Sequence, residues 1–494
     1  MRRLIIALFI IVALAASIAG QPPNSAQARG HKGPGPSPTP SESPTPTPAE
    51  RIATLQQKLK DNPNDKESRA ELGALLIQTG KARDGRDQVE QAIKQGIDDA
   101  RVWYYVGQAD IILSDPADAA LAFEKAEIRD PANSAILGSL VDAYLSLNRV
   151  DDAYRIAKRS VELNPKDASS YESLGTVQLD QNKLDEGRKT LQQALAVDPT
   201  DLRAKLLIAR SYLAGSKPDP DTALTQINAL LATDPNNVDA LRAKAQALAA
   251  KNDVAGAVAA LQAVITLQPD RVDAELAVAE LYLDKKMIPQ ARQAFSQAQK
   301  DHPSSTLPWM LEAEYDADQK NWTQAAQEYQ AELAISGSDP QALFEYGRVQ
   351  LSGLNQPAAA QATFQKLLSA HPDDAEAVFW LGQSYAAGEK WAQARDQFKR
   401  AFGLTHSYQA LFNLGIAYFN LKDYRNARGV FEALAFAPGS KQHPNPQLWY
   451  VLGETDRKMG DKRSAIYAYR QFLAIQPSGQ AASRARSYIK ALGG

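Results

Sequence analysis

The chain has 494 residues, of which 44% are apolar and 23% are charged, with a formal net charge of −2 and a pI near 6.3. This composition is typical of a protein that buries a core, and the near-neutral charge, without a long run of one sign, gives no basic surface for nucleic acid. There is no cysteine, which excludes structural disulfides, thiol catalysis, thiolate metal sites and covalent haem attachment.

The first residues predict an export segment. Arg2 and Arg3 precede an apolar run from Leu4 to Ala19, which is the order of charged and apolar regions in a secretory signal. As a helix this run would be about 24 Å long, shorter than the roughly 30 Å hydrocarbon core of a bilayer. Two alternatives stay open: a signal within residues 1–28, cleaved after Ala19 or Ala28, or a retained N-terminal membrane anchor. Both place the body outside the cytoplasm.

Residues 29–48 predict a linker rich in Pro, Ser and Thr. Proline occupies nearly every second position in this stretch, and because proline lacks an amide donor and fixes φ, neither a helix nor a sheet can form there. An extended, disordered segment is expected. It is either a stalk that holds the body away from a membrane, with glycosylation on its hydroxyl groups, or an inert leader.

The rest of the chain repeats one unit of about 34 residues. Prolines recur at this interval in two series, at 131, 165 and 199 and at 235, 269 and 303. One well-kept copy has small or apolar residues at positions 4, 7, 8, 20, 24, 27 and 32 of the unit, namely Trp103, Val106, Gly107, Ala119, Phe123, Ala126 and Pro131. Positions 4, 7, 8 and 11 share one helical face and positions 20, 24 and 27 another. The unit is therefore predicted to be two helices that approach closely at positions 8 and 20.

This pattern resembles the tetratricopeptide repeat. Position 8 is again glycine in later copies, and position 17 holds an aromatic residue in three of them, Trp322, Trp391 and Tyr424. About twelve repeats fit between residues 66 and 478, with a capping helix predicted in residues 49–65 and another in residues 479–494. The resemblance implies an all-α fold, a right-handed α-solenoid of antiparallel helix pairs with a concave groove.

Catalytic motifs are absent from the sequence. No phosphate-binding loop, metalloprotease motif or serine hydrolase motif is present, and no two of the five histidines share a short motif. His302 and His371 directly precede closing prolines, where the end of a helix favours an imidazole. We therefore expect no catalytic, cofactor or metal site and no enzymatic activity. The alternative, a hydrolytic or glycan-active enzyme, would require a tight cluster of carboxylates or histidines with perturbed pKa values in one groove.

The resemblance implies that positions 2, 5, 9 and 12 of each first helix line the concave groove. Position 5 is aromatic in one early copy and in four consecutive late ones, and position 9 of those late copies is mostly polar. The resulting candidate peptide-binding residues are Tyr104, Phe344, Arg348, Phe379, Gln383, Phe412, Tyr450 and Glu454. The rings would anchor apolar side chains of a peptide, or alternatively would only pack between neighbouring repeats.

Together these features predict an exported, bacterial scaffold that binds protein or peptide partners in the periplasm, at the cell surface or in the medium. A narrower alternative is a periplasmic assembly factor or holding chaperone, acting in cytochrome c maturation or with envelope polysaccharide and secretion machinery. That alternative depends on analogy between folds alone. The lysine and asparagine with which co-chaperone repeats grip a terminal carboxylate, at positions 5 and 9 of one repeat, are not found together in any copy.

Overall fold

The computed structural model describes residues 46–437 and 445–494. The predicted export segment and most of the predicted linker lie outside the described residues. Within the described ranges the regular structure is helical throughout, so the all-α prediction is confirmed. Among these same residues, no helix combines the length and the apolar character needed to cross a bilayer. The chain divides into two compact units, separated in sequence between Leu267 and Gln268.

The described part of the first unit contains thirteen helices. They are α1 (Pro48–Asp61), α2 (Lys66–Gln78), α3 (Ala82–Lys94), α4 (Ala100–Ile112), α5 (Pro116–Arg129), α6 (Ser134–Ser146), α7 (Val150–Leu163), α8 (Ala168–Asp180), α9 (Leu184–Val197), α10 (Leu202–Ser211), α11 (Pro220–Thr233), α12 (Val238–Ala250) and α13 (Val254–Leu267).

The described part of the second unit also contains thirteen α-helices. They are α14 (Asp273–Asp284), α15 (Ile288–Asp301), α16 (Leu307–Asp318), α17 (Trp322–Ser336), α18 (Pro340–Arg348), α19 (Pro357–Ala370), α20 (Ala375–Ala387), α21 (Trp391–Thr405), α22 (Tyr408–Asn420), α23 (Tyr424–Ala435), α24 (Pro446–Met459), α25 (Lys462–Ile475) and α26 (Gln480–Ala491).

From α2 to α25 the helices form twelve pairs, six in each unit, and within each unit every helix packs mainly against its neighbours in sequence. This is the arrangement of an α-solenoid, and it confirms the predicted fold of about twelve helix-turn-helix repeats. A single helix, α1, precedes the pairs and another, α26, follows them. We call the two helices of each pair the first and the second helix.

In five repeats the two helices are held close together by a ring at position 24 that lies over a glycine at position 8. In the repeat α20–α21, Phe398 is 1% exposed, and a Cβ atom added to Gly382 would lie 2.7 Å from its ring carbon Cε1. The same arrangement recurs at Gly107 with Phe123 and at Gly347 with Phe364. Glycine is therefore needed here for close approach of the helices rather than for an unusual backbone angle.

The turn between the two helices of a repeat contains one residue with positive φ in most repeats. This residue stands at position 15, or one later after an insertion, and is most often Asn, Lys or Gly; examples are Gly80, Ser114, Asn148, Asn182, Asn252, Lys286, Lys320, Asn355, Glu389, Lys422 and Gly460. The connection from one repeat to the next has a different signal. Most first helices begin after an N-cap residue whose side chain accepts a backbone hydrogen bond; Asp99, for example, accepts one from the N–H of Val102.

One repeat is a residue longer, and the extra residue is absorbed in its first helix. After α18 the chain forms a π-helical turn, Val349–Gly353, which is the usual way to insert one residue into an α-helix. Gly353 lies against the indole of Trp322, since an added Cβ would be 2.5 Å from its Cδ2 atom. The second helix of this repeat, α19, then resumes the normal pattern.

Buried ion pairs connect neighbouring repeats within each unit. The arginine at position 21 of one repeat pairs with the aspartate at position 11 of the next, at 2.8 Å for Arg86 and Asp110 in the first unit. In the second unit the distance is 3.2 Å for Arg428 and Asp456. Both aspartates are almost fully buried, and burial raises the pKa of each to about 6.

The contact between glycine and ring gives a first testable prediction. Gly382→Ala should destabilise the protein by about 1–3 kcal/mol, because the added methyl group overlaps the buried ring of Phe398. Gly429→Ala is the matched control: Gly429 lies inside α23, is exposed and has nothing within 4 Å of an added Cβ. Alanine there should be neutral or stabilising by up to about 1 kcal/mol. Thermal unfolding followed by circular dichroism at 222 nm would measure the difference in stability between the two variants. Equal unfolding midpoints would refute the steric argument.

Candidate peptide-binding surface

Four aromatic residues at position 5 lie on four successive first helices of the second unit. They are Phe344 on α18, Phe379 on α20, Phe412 on α22 and Tyr450 on α24, and each is half-buried. We call these four residues the aromatic row. Since every member occupies the same position of its repeat, the row follows the stacking direction of the repeats within this unit.

Each ring of the aromatic row rests on the buried ring at position 24 of its own repeat. The ring centroids are 6.1 Å apart for Phe344 and Phe364, 5.7 Å for Phe379 and Phe398, 5.9 Å for Phe412 and Phe431, and 6.0 Å for Tyr450 and Tyr469. These are the separations of favourable aromatic pairs. The rings therefore contribute to packing and also keep part of their surface accessible, so both interpretations of position 5 stay open.

Tyr104, the fifth predicted ring, belongs to the first unit. Its ring lies 5.7 Å from that of Phe123 and 6.2 Å from that of Tyr105. The next two repeats have Gly138 and Glu172 at position 5, so Tyr104 has no aromatic neighbours at this position in the following repeats.

The polar residues at position 9 differ in how far they are already engaged. Arg348 is exposed, pairs with Glu345 at 2.9 Å, and has its guanidinium 5.3 Å from the centroid of the Trp380 ring. Gln383 is half-buried beside the row. Glu454 accepts hydrogen bonds from Arg457, at 2.7 Å, and from the hydroxyl of Tyr469. Arg348 thus keeps an exposed side chain although it pairs with Glu345, whereas Glu454 has two strong internal donors.

The sequence analysis missed a group of acidic residues at one end of the row. Glu314 and Asp318 lie on α16, and Glu345 lies next to Phe344 on α18. The buried hydroxyl of Tyr329 lies in the field of all three carboxylates, and burial together with their negative charge raises its pKa. The sequence did contain a sign of a polar environment at this place: position 24 is tyrosine here, whereas most of the neighbouring repeats have phenylalanine.

Glu280 occupies the same repeat position as Glu314, position 9, in the preceding repeat, on α14. Burial raises its pKa to about 7, and its Oε1 atom is buried without a hydrogen-bond partner. Burial and the nearby charge of Glu345 also raise the pKa of Glu314. We call Glu314, Asp318 and Glu345 the acidic surface.

A tight carboxylate cluster of the kind that the enzyme alternative requires is present in the second unit. Glu312, Asp316 and Glu328 have oxygen atoms within 4.8 Å of one another, and burial raises the pKa of both glutamates. However, the three residues are 7%, 0% and 2% exposed, so a substrate has no access to them. The guanidinium of Arg292 contacts all three, at 3.0, 2.7 and 3.6 Å, and supplies the positive charge that a metal ion would otherwise provide.

A second acidic pair lies in the first unit, where Glu172 of α8 faces Asp201 and Arg203 at the start of α10. Burial and the charge of Asp201 raise the pKa of Glu172, and Arg203 lies 3.3 Å from it. Asp201 is at the same time the N-cap of its helix, since it accepts the N–H of Ala204 at 3.0 Å. Because these side chains bind one another across two neighbouring repeats, the arrangement stabilises the contact between the repeats.

The predicted role of histidine at helix ends agrees with the geometry. His302 is the C-cap of α15 and His371 the C-cap of α19. His302 also lies 3.5 Å from Glu275.

Removal of Arg292 should leave three buried carboxylates without a cation. Arg292→Ala is expected to destabilise the second unit by about 2–4 kcal/mol, somewhat less than for a fully buried pair because the arginine is a third exposed. Arg395→Ala removes an exposed pair with Asp396 and should change stability by less than about 0.5 kcal/mol. Urea denaturation monitored by circular dichroism would compare the free energies of unfolding of the two variants. A small loss in both would mean that protonation alone satisfies the cluster.

Family models match most of the repeat region. Tetratricopeptide repeat models match residues 111–176, 173–219, 217–272, 248–315 and 446–478, and a model of subunit 3 of the anaphase-promoting complex, or cyclosome, matches residues 354–434. Subunit 6 of the anaphase-promoting complex of Arabidopsis thaliana is 24% identical over 178 residues, which is 36% of this chain and 33% of that protein. The match therefore spans about a third of that relative.

Similar solved structures include two helical-repeat proteins. The Cut9–Hcn1 tetramer of the anaphase-promoting complex is 16% identical, with coverage of 89% of this chain and 98% of that chain and a TM-score of 0.33. PilW, a type IV pilus biogenesis factor, is 19% identical, with coverage of 43% and 97% and a TM-score of 0.36.

Twelve helix pairs, five of them with a ring packed on a glycine, define a helical-repeat scaffold, a class of protein that mediates contacts between proteins. Within that class, the chain belongs to the tetratricopeptide repeat family.

Proposed function

We propose that this protein is an extracytoplasmic scaffold that binds a polypeptide partner along the aromatic row of its second unit. The observation that carries the proposal is the support of each row ring by a buried ring at position 24. Rings held in this way lose little conformational entropy when a partner docks, and partly exposed aromatic side chains on a rigid support are frequent binding hot spots.

Arg348 adds a polar contact beside these rings. Its guanidinium lies over Trp380 and remains exposed, so it can donate hydrogen bonds to backbone carbonyls of a bound segment. A partner that places apolar side chains between neighbouring rings and its backbone near Arg348 would use both features. No covalent chemistry is needed for this role.

Export is supported by the residues that precede the described part of the chain. Arg2, Arg3 and the apolar run from Leu4 to Ala19 are the reason for proposing a location outside the cytoplasm. Edman sequencing of protein purified from the cells that make it should begin at Gly20 or Arg29 if the segment is cleaved. An intact Met1 in a membrane fraction would indicate the anchor instead, and Met1 in the cytosolic fraction would refute export.

Binding through the aromatic row can be tested with substitutions that preserve packing. Phe379→Leu/Phe412→Leu keeps apolar bulk over the position 24 rings but removes two aromatic edges. We expect this variant to capture its partners from an extract of the source cells at least about fivefold less well than the wild-type chain, which corresponds to about 1 kcal/mol or more.

The matched control is Phe402→Leu/Phe436→Leu. Phe402 is half-buried against His406, and Phe436 is exposed against Trp449, so the same chemical change is made away from position 5. Quantitative mass spectrometry of the captured proteins should show the control at the wild-type level, with equal helical content in all three proteins. Equal capture by the row variant would mean that the rings serve packing only.

A further inference from the structure

The buried cluster of Glu312, Asp316 and Glu328 carries more negative charge than the guanidinium of Arg292 can balance. One oxygen atom of each residue lies within 4.8 Å of the other two, and all three side chains are withdrawn from water. Arg292 contacts each of them. If every carboxyl group were ionised, three negative charges would face one positive charge at short range. The cluster is therefore expected to keep at least one proton.

Two of the three carboxyl groups have hydrogen-bond donors at both oxygen atoms. Glu312 accepts one hydrogen bond from Arg292 at 3.0 Å and another from the side-chain amide of Gln299 at 2.8 Å. Asp316 accepts from Arg292 at both oxygen atoms, at 2.7 and 2.9 Å, and from the amide of Asn321 at 2.8 Å. These hydrogen bonds favour the ionised form of both groups.

Glu328 lacks this support. Its Oε1 atom accepts a hydrogen bond from the neutral amide of Gln324 at 2.9 Å, and Arg292 lies 3.6 Å away, beyond hydrogen-bond distance. Its Oε2 atom is buried without a hydrogen-bond partner. A proton on Glu328 would remove the poorly compensated charge and turn the carboxyl group into a donor, for which the neighbouring carboxylate of Asp316 is an acceptor.

The charged groups that face Glu328 are those of the cluster itself, from α15 and α16. Glu332 is the other charged residue of α17. The next helix, α18, has two charged residues, Glu345 and Arg348, and both lie beside Tyr329. The π-helical turn that follows has none. Burial, together with the negative charges on α16, raises the pKa of Glu328 to about 8.

We propose that Glu328 is a proton-binding site that is occupied in the folded protein at neutral pH, and that loss of this proton weakens the packing of α17 against α16. In the occupied form, the neutral acid of Glu328 donates to Asp316, and Arg292 binds the two remaining carboxylates. When the proton leaves to water, Glu328 on α17 becomes a buried carboxylate that is repelled by the two carboxylates on α16. This contact between helices is thus expected to respond to pH.

The proton makes the stability of the second unit depend on pH in one direction. A glutamate ordinarily loses its proton near pH 4.5, whereas folded Glu328 loses it near a pH of about 8. Between these values the folded chain holds a proton that the unfolded chain has released. The stabilisation is complete below pH 4.5 and is lost as the pH rises through about 8. Over this range the equilibrium constant for unfolding should rise about tenfold per pH unit.

Glu328→Gln tests the proposal, because glutamine has nearly the shape of the neutral acid and has no proton to lose in this range. Urea denaturation of the full-length protein, followed by circular dichroism at a series of pH values, would compare the equilibrium constants for unfolding. The ratio of the wild-type constant to that of Glu328→Gln should rise about tenfold per pH unit up to about pH 8. Parallel pH profiles for the two proteins would overturn the proposal.

The matched control is Glu376→Gln. Glu376 is exposed in the first turn of α20, so the same chemical change is made outside the cluster. The unfolding constant of this variant should stay within about twofold of the wild-type value at every pH. A control that loses the same pH dependence as Glu328→Gln would overturn the assignment to Glu328.

Infrared spectroscopy of the wild-type protein gives a second measurement, which does not require any variant to fold. The C=O stretching band of a protonated carboxyl group is distinct from the bands of carboxylates. This band should be present at neutral pH, decrease as the pH rises through about 8, and be weaker in Glu328→Gln than in Glu376→Gln. A wild-type protein without the band at neutral pH, or a band of equal strength in both variants, would overturn the proposal.

Discussion

The structure depends on how closely the two helices of a repeat approach each other. In five of the twelve repeats that distance is set where a large ring at position 24 covers a glycine at position 8, as Phe398 covers Gly382 and Phe364 covers Gly347. A repeat cannot bury this ring completely on its own, so each pair also needs the next one. The hydrophobic clusters within each unit accordingly combine residues of neighbouring repeats, for instance Leu367 of α19 with Ala377 of α20.

The same ring links the core to the candidate binding surface. It packs on glycine and also contacts the position 5 ring of the aromatic row. Where position 24 is tyrosine, as at Tyr329, the added hydroxyl lies within the field of the acidic surface. One position of the repeat thus contributes both to helix spacing and to the support of the aromatic row.

The fold could be predicted from the sequence because its determinants are local and repeated. Positions 8, 20, 24 and 32 recur at a constant interval, and twelve copies of a weak pattern make a strong one. The ion pairs between repeats could not be predicted in this way. Arg86 and Asp110 are 24 residues apart in sequence, and at the equivalent place Arg188 lies 4.6 Å from the ring centroid of Tyr212 instead of meeting a carboxylate. The pair occupies fixed positions of the repeat but occurs at only some interfaces, so its signal in the sequence is too sparse to stand out.

The candidate surface was predicted in part, for a similar reason. The position 5 rings stand out because they follow the period of the repeat, and the structure places four of them on successive first helices. The acidic surface combines positions 6, 9 and 13 of two neighbouring repeats, and its members come together only when the first helices stack, so no single repeat reveals it. Glu454 shows the converse, since its position suggested an available carboxylate and Arg457 and Tyr469 already engage it.

The π-helical turn at Val349–Gly353 bears on how such a chain tolerates change in length. Because the additional residue widens one turn of a helix, Asn355 still adopts the left-handed conformation of the other connections, and the following helix begins in its usual phase. An insertion is thereby confined to the module in which it arose. Genes for repeated modules can gain or lose single codons at such a place without compensating mutations elsewhere, which is one physical route by which tandem copies diverge while the array stays in register.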